Sequence, residues 1–121
     1  MLPRENRLKK EKDFKLVLRS KNFFSDDFLI LKDIRNDLEI SRFAFIVSKK
    51  ISNKAVIRNR IKRLLREAVR ADIKNIKGGW DIIFFTRKNI VEKKYFEIEE
   101  EIKRLLKKAD MYDEKDITKD N

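Results

Sequence analysis

Residues 40–70 read ISRFAFIVSKKISNKAVIRNRIKRLLREAVR, and this stretch predicts both a β-strand and an α-helix. Within 40–47, apolar side chains fall on both faces of an extended chain, which is typical of a central strand. Ser52 or Asn53 could then cap a helix. The helix is predicted from apolar residues at helical spacing, namely Ile57, Ile61, Leu64, Leu65, Ala68 and Val69.

The flanking sequence continues with the same two patterns. Residues 11–19 predict a short amphipathic helix, and 23–32 (FFSDDFLILK) predict one bent strand or two short ones, followed by a loop over 33–39. After the pair Gly78-Gly79, residues 80–85 predict a second strand that is apolar on both faces. A last helical stripe comprises Val91, Tyr95, Ile98, Ile102, Leu105, Leu106 and Ala109.

This order of elements, α-β-β-β-α-β-α, predicts an α+β fold. We expect a two-layer α/β sandwich in which helices pack on a mostly antiparallel sheet. The length of 121 residues suits one domain, which we place at 1–110. Beyond Asp110 the chain turns acidic and poor in apolar residues, so 111–121 are expected to form a flexible tail.

Positive charge is concentrated in the central helix and the turn before it. The whole chain carries 32 Lys and Arg against 21 Asp and Glu, a net charge of +11. Between Lys49 and Arg70, Glu67 is the only acidic residue. A charged helix face that merely contacts water usually alternates in sign to gain ion pairs, and this one does not. It therefore favours RNA binding, with Arg58, Lys62 and Arg66 in one row and Asn59, Arg63 and Arg70 beside it.

Residue types that are missing exclude several kinds of chemistry. With no His and no Cys, the sequence excludes zinc sites, disulfides and Ser-His triads, and two Gly are too few for a phosphate-binding loop. Asp26-Asp27 and the acidic run 99–101 could bind a hard cation, but they are more typical of a strand break and a helix start. No apolar run is long enough for a membrane span, so a cytoplasmic protein is expected.

Two aromatic residues could lie either in the core or at a binding surface. Phe14 belongs equally well to a core or to a groove in which unpaired bases stack. Trp80, which opens a strand, is expected to be a packing residue.

Three segments together resemble the protein subunit of bacterial ribonuclease P. They are NRLKKEKDF at 6–14, FIVSKKISNKAVIRNRIKRLLREAVR at 45–70 and DIIFFTRK at 81–88. Arg58-Asn59-Arg60 is the most specific of these marks, and the resemblance spans roughly residues 4–108.

The resemblance implies a division of labour in tRNA maturation. In that family the RNA subunit carries the catalytic groups and uses Mg²⁺ to remove the 5′ leader of precursor tRNA. This chain would be the accessory subunit of that endoribonuclease, with no catalytic residue or metal motif of its own. Its partners would be ribonuclease P RNA and the precursor tRNA leader. The family fold also implies a left-handed β-α-β crossover, against the usual right-handed preference.

The resemblance further implies two binding regions. The leader would lie in a cleft lined by Phe14, Leu18 and Leu31, which favours the groove position for Phe14. Aromatic residues are frequent in the family where this chain has Leu18 and Leu31, so we expect weaker stacking there. The residues implied in RNA binding are Ser48, Lys49, Lys50, Arg58, Asn59, Arg60, Lys62, Arg63 and Arg66.

Two other classes of protein fit parts of the same sequence. A ribosomal or ribosome-associated RNA-binding protein would share the size, charge and α+β pattern without a role in tRNA processing. A nuclease that needs no RNA subunit would instead use carboxylate-bound Mg²⁺.

Overall fold

A computed structural model describes residues 2–113 of the chain as three helices and four strands. Three short 3-10 turns accompany the helices. Arg4–Asn6 precedes the first helix, Ile73–Asn75 follows the second, and Lys88–Glu92 precedes the third. The elements are α1 (Glu11–Arg19), β1 (Phe23–Ser25), β2 (Leu29–Arg35), β3 (Arg42–Ile46), α2 (Ala55–Ala71), β4 (Trp80–Thr86) and α3 (Tyr95–Lys108).

The strands form one sheet in the order β1-β2-β4-β3. β1 pairs with β2 and β2 with β4 in antiparallel fashion, whereas β3 and β4 are parallel. A parallel pair needs a crossover connection, and α2 provides it. The predicted α+β class and the mostly antiparallel sheet are confirmed, and of the two alternatives for 23–32 the structure has two strands, β1 and β2. The hand of the crossover stays a prediction from the resemblance.

Helices cover the two faces of the sheet unequally. α2 and α3 pack on one face over the main core, in which Leu31 and Phe84 are fully buried. Phe45 stacks on Phe84 in this core, with ring centroids 5.8 Å apart. On the opposite face, α1 packs alone, through Val17 against Ile83. Because nine residues of helix cannot cover four strands, part of this second face stays open.

Several element ends differ from those predicted. β2 continues to Arg35 through the predicted loop, because its ladder with β4 extends to the pair Arg35 and Trp80. α2 begins at Ala55, and Lys54 occupies its N-cap position. The Ser52 hydroxyl accepts the N–H of Lys54 at 3.2 Å and not an N–H of the helix itself. The predicted Ser52 or Asn53 cap is therefore wrong.

The chain beyond Asp110 enters the core instead of leaving it. Met111 is fully buried, and its carbonyl accepts the Lys77 N–H at 2.8 Å. Tyr112 forms an isolated β-bridge with Ile76. The predicted boundary at residue 110 is therefore too early, since 111–113 are part of the fold. The rest of the predicted tail, 114–121, lies outside the described residues.

The two glycines serve the entry to β4. A Cβ on Gly78 would overlap the backbone carbonyl oxygen of Glu39, so only glycine fits at this close approach. Gly79 has a φ of +96°, which other residues rarely adopt. Trp80 follows, half-buried against the core with the Arg35 guanidinium 4.9 Å from its ring centroid, as expected of a packing residue.

A buried carboxylate joins α3 to the start of β2. Glu101 is fully buried, and its Oε2 accepts the N–H groups of Phe28 at 2.8 Å and Leu29 at 2.6 Å. Its Oε1 has no hydrogen bond, although Arg104 Nη2 lies 3.5 Å away. Burial is the main cause that raises the pKa of Glu101 above its ordinary value.

This raised pKa predicts a measurable pH dependence of stability. A carboxyl whose folded pKa is raised binds a proton more tightly when folded, so its contribution falls as pH rises through that pKa. Glu101→Gln keeps an acceptor for both N–H groups but does not titrate. As pH rises from the ordinary pKa of a glutamate through the raised pKa of Glu101, wild type should therefore lose stability relative to this variant. Urea denaturation across that range measures the difference, and a constant difference would contradict the prediction.

Candidate nucleic-acid interface

The basic face of α2 points away from the protein core. Ile61, Leu65, Ala68 and Val69 are buried and fix the orientation of the helix against the sheet and α3. The opposite side carries the predicted RNA-binding residues of the helix. Asn59, Arg60, Arg63 and Arg66 are exposed, and Arg58 and Lys62 are half-buried.

These cations lack acidic partners within residues 2–113. Arg70, at the end of α2, pairs with Glu67 at 3.2 Å, and it is the one basic side chain of the helix that forms an ion pair in the described part of the chain. A solvated charged face would gain i, i+4 pairs along its length. The unpaired cations instead leave a field that attracts a polyanion.

Arg58, Asn59 and Arg60 point to three different surroundings. The Arg58 guanidinium donates to the Ser52 carbonyl at 2.8 Å, and thus holds the turn before α2. Arg60 donates to the Val91 carbonyl at 3.2 Å, across to the turn before α3. Asn59 lines a cavity of about 340 Å³ with Arg63, Arg66 and Glu67. The predicted row of Arg58, Lys62 and Arg66 is therefore split, because Arg58 is turned toward the protein backbone.

A second cavity adds two cations that the sequence analysis did not assign to a site. Arg7 and Lys9 from the N-terminal segment meet Lys62 and Arg66 of α2 around a cavity of about 250 Å³ beside β3. The Arg7 Nε donates to the Leu2 carbonyl at 2.9 Å, which holds the guanidinium in place. The basic run at 7–10 was the available signal, but the contact spans more than fifty residues of sequence.

The segment Ser48-Lys49-Lys50 forms an exposed turn between β3 and α2. The Ile51 N–H donates to the Ser48 carbonyl at 3.0 Å, and the Ile51 side chain is buried. This anchor holds both lysines between the end of β3 and the start of α2.

The open sheet face beside α1 is where the resemblance predicts the leader cleft, and we refer to this face as the cleft. Residues paired across neighbouring strands share a face, which places Ile30, Phe85 and Ile46 in one row on the α1 side. All three are half-buried. From α1, Phe14 is half-buried and packs against this cluster, and Leu18 is 39% exposed. Phe14 therefore packs on an apolar floor, whereas Leu18 is not part of that cluster, and a role of either side chain in leader binding stays a prediction.

The assignment of Leu31 to this cleft is wrong. Leu31 is fully buried in the main core, on the opposite face of the sheet from α1. Successive strand residues alternate faces, so the cleft side of β2 carries Ile30, Lys32 and Ile34. Lys32 is the neighbour that reaches α1, where its Nζ donates to the Leu18 carbonyl at 2.7 Å.

An ion pair between half-buried Arg42 and buried Asp81 links α1 to the sheet. The Arg42 guanidinium binds Asp81 through two parallel hydrogen bonds, at 2.8 Å and 2.7 Å. Asp81 also accepts from Asn36 at 2.9 Å, and Arg42 reaches Asp13 of α1 at 3.4 Å. The hydrogen bonds with Asp81 raise the pKa of Arg42 further, so the guanidinium stays charged.

Three of the acidic residues considered for a hard cation are bound or buried within the protein. Asp26 accepts from Arg104 at 2.8 Å, an interaction that lowers its pKa, and Asp27 lies 3.6 Å from Lys93. Glu101 is buried, as described above. Over residues 2–113 no three Asp or Glu side chains are grouped as a metal site. No helix in the same range is long and apolar enough to cross a membrane.

Comparison with known proteins places these features in a family. The family model described as Ribonuclease P matches residues 2–110. The ribonuclease P protein component of Caldanaerobacter subterraneus subsp. tengcongensis is 38% identical over 110 residues, which cover 91% of this chain and 94% of that protein. That of Alkaliphilus oremlandii is 42% identical over 106 residues, covering 88% and 92%.

Solved structures show the same similarity. The ribonuclease P protein of Staphylococcus aureus matches with a TM-score of 0.80 at 27% identity, covering 89% of this chain and 98% of that one. That of Thermotoga maritima matches with a TM-score of 0.77 at 27% identity, covering 84% and 96%.

Proposed function

Because this chain belongs to the ribonuclease P protein family, we propose that it binds both ribonuclease P RNA and the 5′ leader of precursor tRNA. The unpaired cations of α2 support the first half of the proposal. They lie beside Arg7 and Lys9, so one continuous basic surface faces the same partner. Guanidinium groups suit phosphates because their fork of donors binds two oxygens at once.

The cleft supports the second half. An unpaired base has an apolar π-face, which stacks on aromatic or apolar side chains. Phe14 offers its ring at the wall of the cleft, and Phe85 lies in its floor. Both are half-buried, which suits a ring that packs on one side and is open on the other. The lysines of the turn 48–50 lie at one end of the floor, close to α2.

Catalysis is then assigned to the RNA subunit. The chain has no His or Cys, and the carboxylates of Asp26 and Asp27 are bound to Arg104 and Lys93. Mg²⁺ would therefore be bound by the RNA-containing holoenzyme, and the protein would position the substrate. The expected place of action is the cytoplasm, where precursor tRNA is processed.

A reconstitution assay tests this function. The purified protein is incubated with precursor tRNA and Mg²⁺, with and without a bacterial ribonuclease P RNA. Cleavage at the 5′ end of the mature tRNA should require the RNA and increase with added protein at low Mg²⁺. Cleavage by protein alone would instead indicate a carboxylate-dependent nuclease. No stimulation of the RNA would favour the ribosome-associated alternative.

A further inference from the structure

Phe23 is an aromatic ring that the described fold leaves largely open. It lies on the edge strand β1, and 61% of it is exposed. Its neighbour Phe24 packs into the main core. Because successive strand residues alternate faces, Phe23 lies on the opposite side, which is the face that carries the cleft.

The strand register places Phe23 beside the cleft floor, whose row ends on β1 at Ser25, the partner of Ile30, two residues from Phe23. Phe23 is paired with Lys32, and Lys32 with Ile83, so the three share the α1 face. Lys32 binds the carbonyl of Leu18, which links this row to the wall of the cleft. The other end of the floor is Ile46 on β3, beside the basic turn 48–50. Three strand spacings separate β3 from β1, a distance of about 14 Å.

The charges around Phe23 select the kind of ligand. Arg19 and Lys21 flank the end of α1, both exposed and without an ion pair within residues 2–113. The nearest acidic residues in the sequence have partners, since Asp26 binds Arg104 and Asp27 lies 3.6 Å from Lys93. Asp33 is buried beside Asn22. An exposed ring among unpaired cations suits a nucleobase with its phosphates better than it suits an apolar protein surface.

We propose that Phe23 is an outer leader subsite, at which it stacks a base of the 5′ leader distal to the cleavage site. The proposal rests on the leader-binding function argued above. RNA docked on α2 approaches the sheet from the β3 side, so nucleotides next to the cleavage site lie over Ile46 and Phe85. A longer leader continues across Ile30 and reaches Phe23. Phe23 thereby supplies the aromatic contact that Leu18 does not.

The test measures holoenzyme affinity for precursor tRNAs with a series of leader lengths. Phe23→Ala should weaken binding of long-leader substrates about 5-fold to 100-fold, the range for loss of one stacked base. A leader shortened to a few nucleotides should bind as it does to wild type. Phe23→Trp should keep the long-leader affinity, whereas Phe23→Leu, apolar but without a ring, should lose it.

Phe96→Ala provides a matched control, because Phe96 on α3 is also 61% exposed but lies on another element. It should leave every leader length unaffected. Unchanged binding of long leaders by Phe23→Ala would overturn the subsite alone. An equal loss for long-leader and leaderless substrates, or a change in the oligomeric state instead of leader affinity, would also overturn it. If wild type itself did not distinguish leader-bearing from leaderless tRNA, the proposed leader binding would fail as well.

Discussion

Arg42→Met is expected to lower the free energy of unfolding by about 3 to 5 kcal/mol, the usual cost of removing one partner of a buried ion pair. Asp81 is 3% exposed, so without Arg42 its charge would stay buried with Asn36 as its remaining partner. Arg42 also contacts Asp13, the link between α1 and this pair. The Arg42→Met substitution should therefore also weaken the attachment of α1 to the sheet.

A double-mutant cycle separates the pair from its surroundings. Asp81→Asn in the Arg42→Met background removes the unpaired charge and should recover a large part of the lost stability. Lys15→Ala is the surface control, because Lys15 and Glu11 form an exposed pair at 3.2 Å, and it should cost at most about 1 kcal/mol. Asp81→Asn alone completes the cycle, and urea denaturation measures wild type, both single variants, the double variant and Lys15→Ala. A loss in Arg42→Met no larger than that of Lys15→Ala would contradict the buried-pair account.

The fold class was predictable because each element carries a strong local pattern. α2 combines a continuous apolar stripe with a charged face, and β4 is apolar at every position from Ile82 to Phe85. Such patterns specify the type and order of elements. They do not specify which face of a strand meets which helix.

Leu31 illustrates that limit. Residues 28–31 are all apolar, so alternation cannot tell the core side of β2 from its cleft side. The faces are fixed by pairing with β4, which lies about fifty residues later in the chain. A displacement by one residue exchanges the two faces, and this is why Lys32 and not Leu31 lies beside Leu18.

The basic surface was predicted in part for a similar reason. The concentration of charge between residues 49 and 70 is a local property of the sequence, and it predicted that α2 carries the exposed cations. The joining of Arg7 and Lys9 to Lys62 and Arg66 depends on the N-terminal segment pairing with β3, where the Leu8 N–H donates to the Phe43 carbonyl at 2.8 Å. The turning of Arg58 to the Ser52 carbonyl is likewise a tertiary contact.

The triple variant Lys62→Ala, Arg63→Ala and Arg66→Ala should bind ribonuclease P RNA on the order of 100-fold more weakly, at about 1 kcal/mol per lost phosphate contact. These three side chains line the two cavities of the basic surface, and none has an acidic partner within the described residues. Each phosphate contact releases counterions, so the slope of log affinity against log salt should become shallower by roughly 2 to 3 for three contacts. Titrations over a range of salt concentrations measure both quantities.

If the location of the cations matters, removing three of them elsewhere on the protein should not produce the same loss of RNA affinity. Lys74→Ala, Lys94→Ala and Lys103→Ala together remove the same net charge from other elements, and this control should change affinity and slope much less. Arg58→Ala should differ again, since its guanidinium holds the turn before α2, and it should lower the melting temperature as well as affinity. Equal losses in the triple variant and its control would reduce the surface to general attraction. A weaker affinity with an unchanged salt slope would show that Lys62, Arg63 and Arg66 do not contact phosphates.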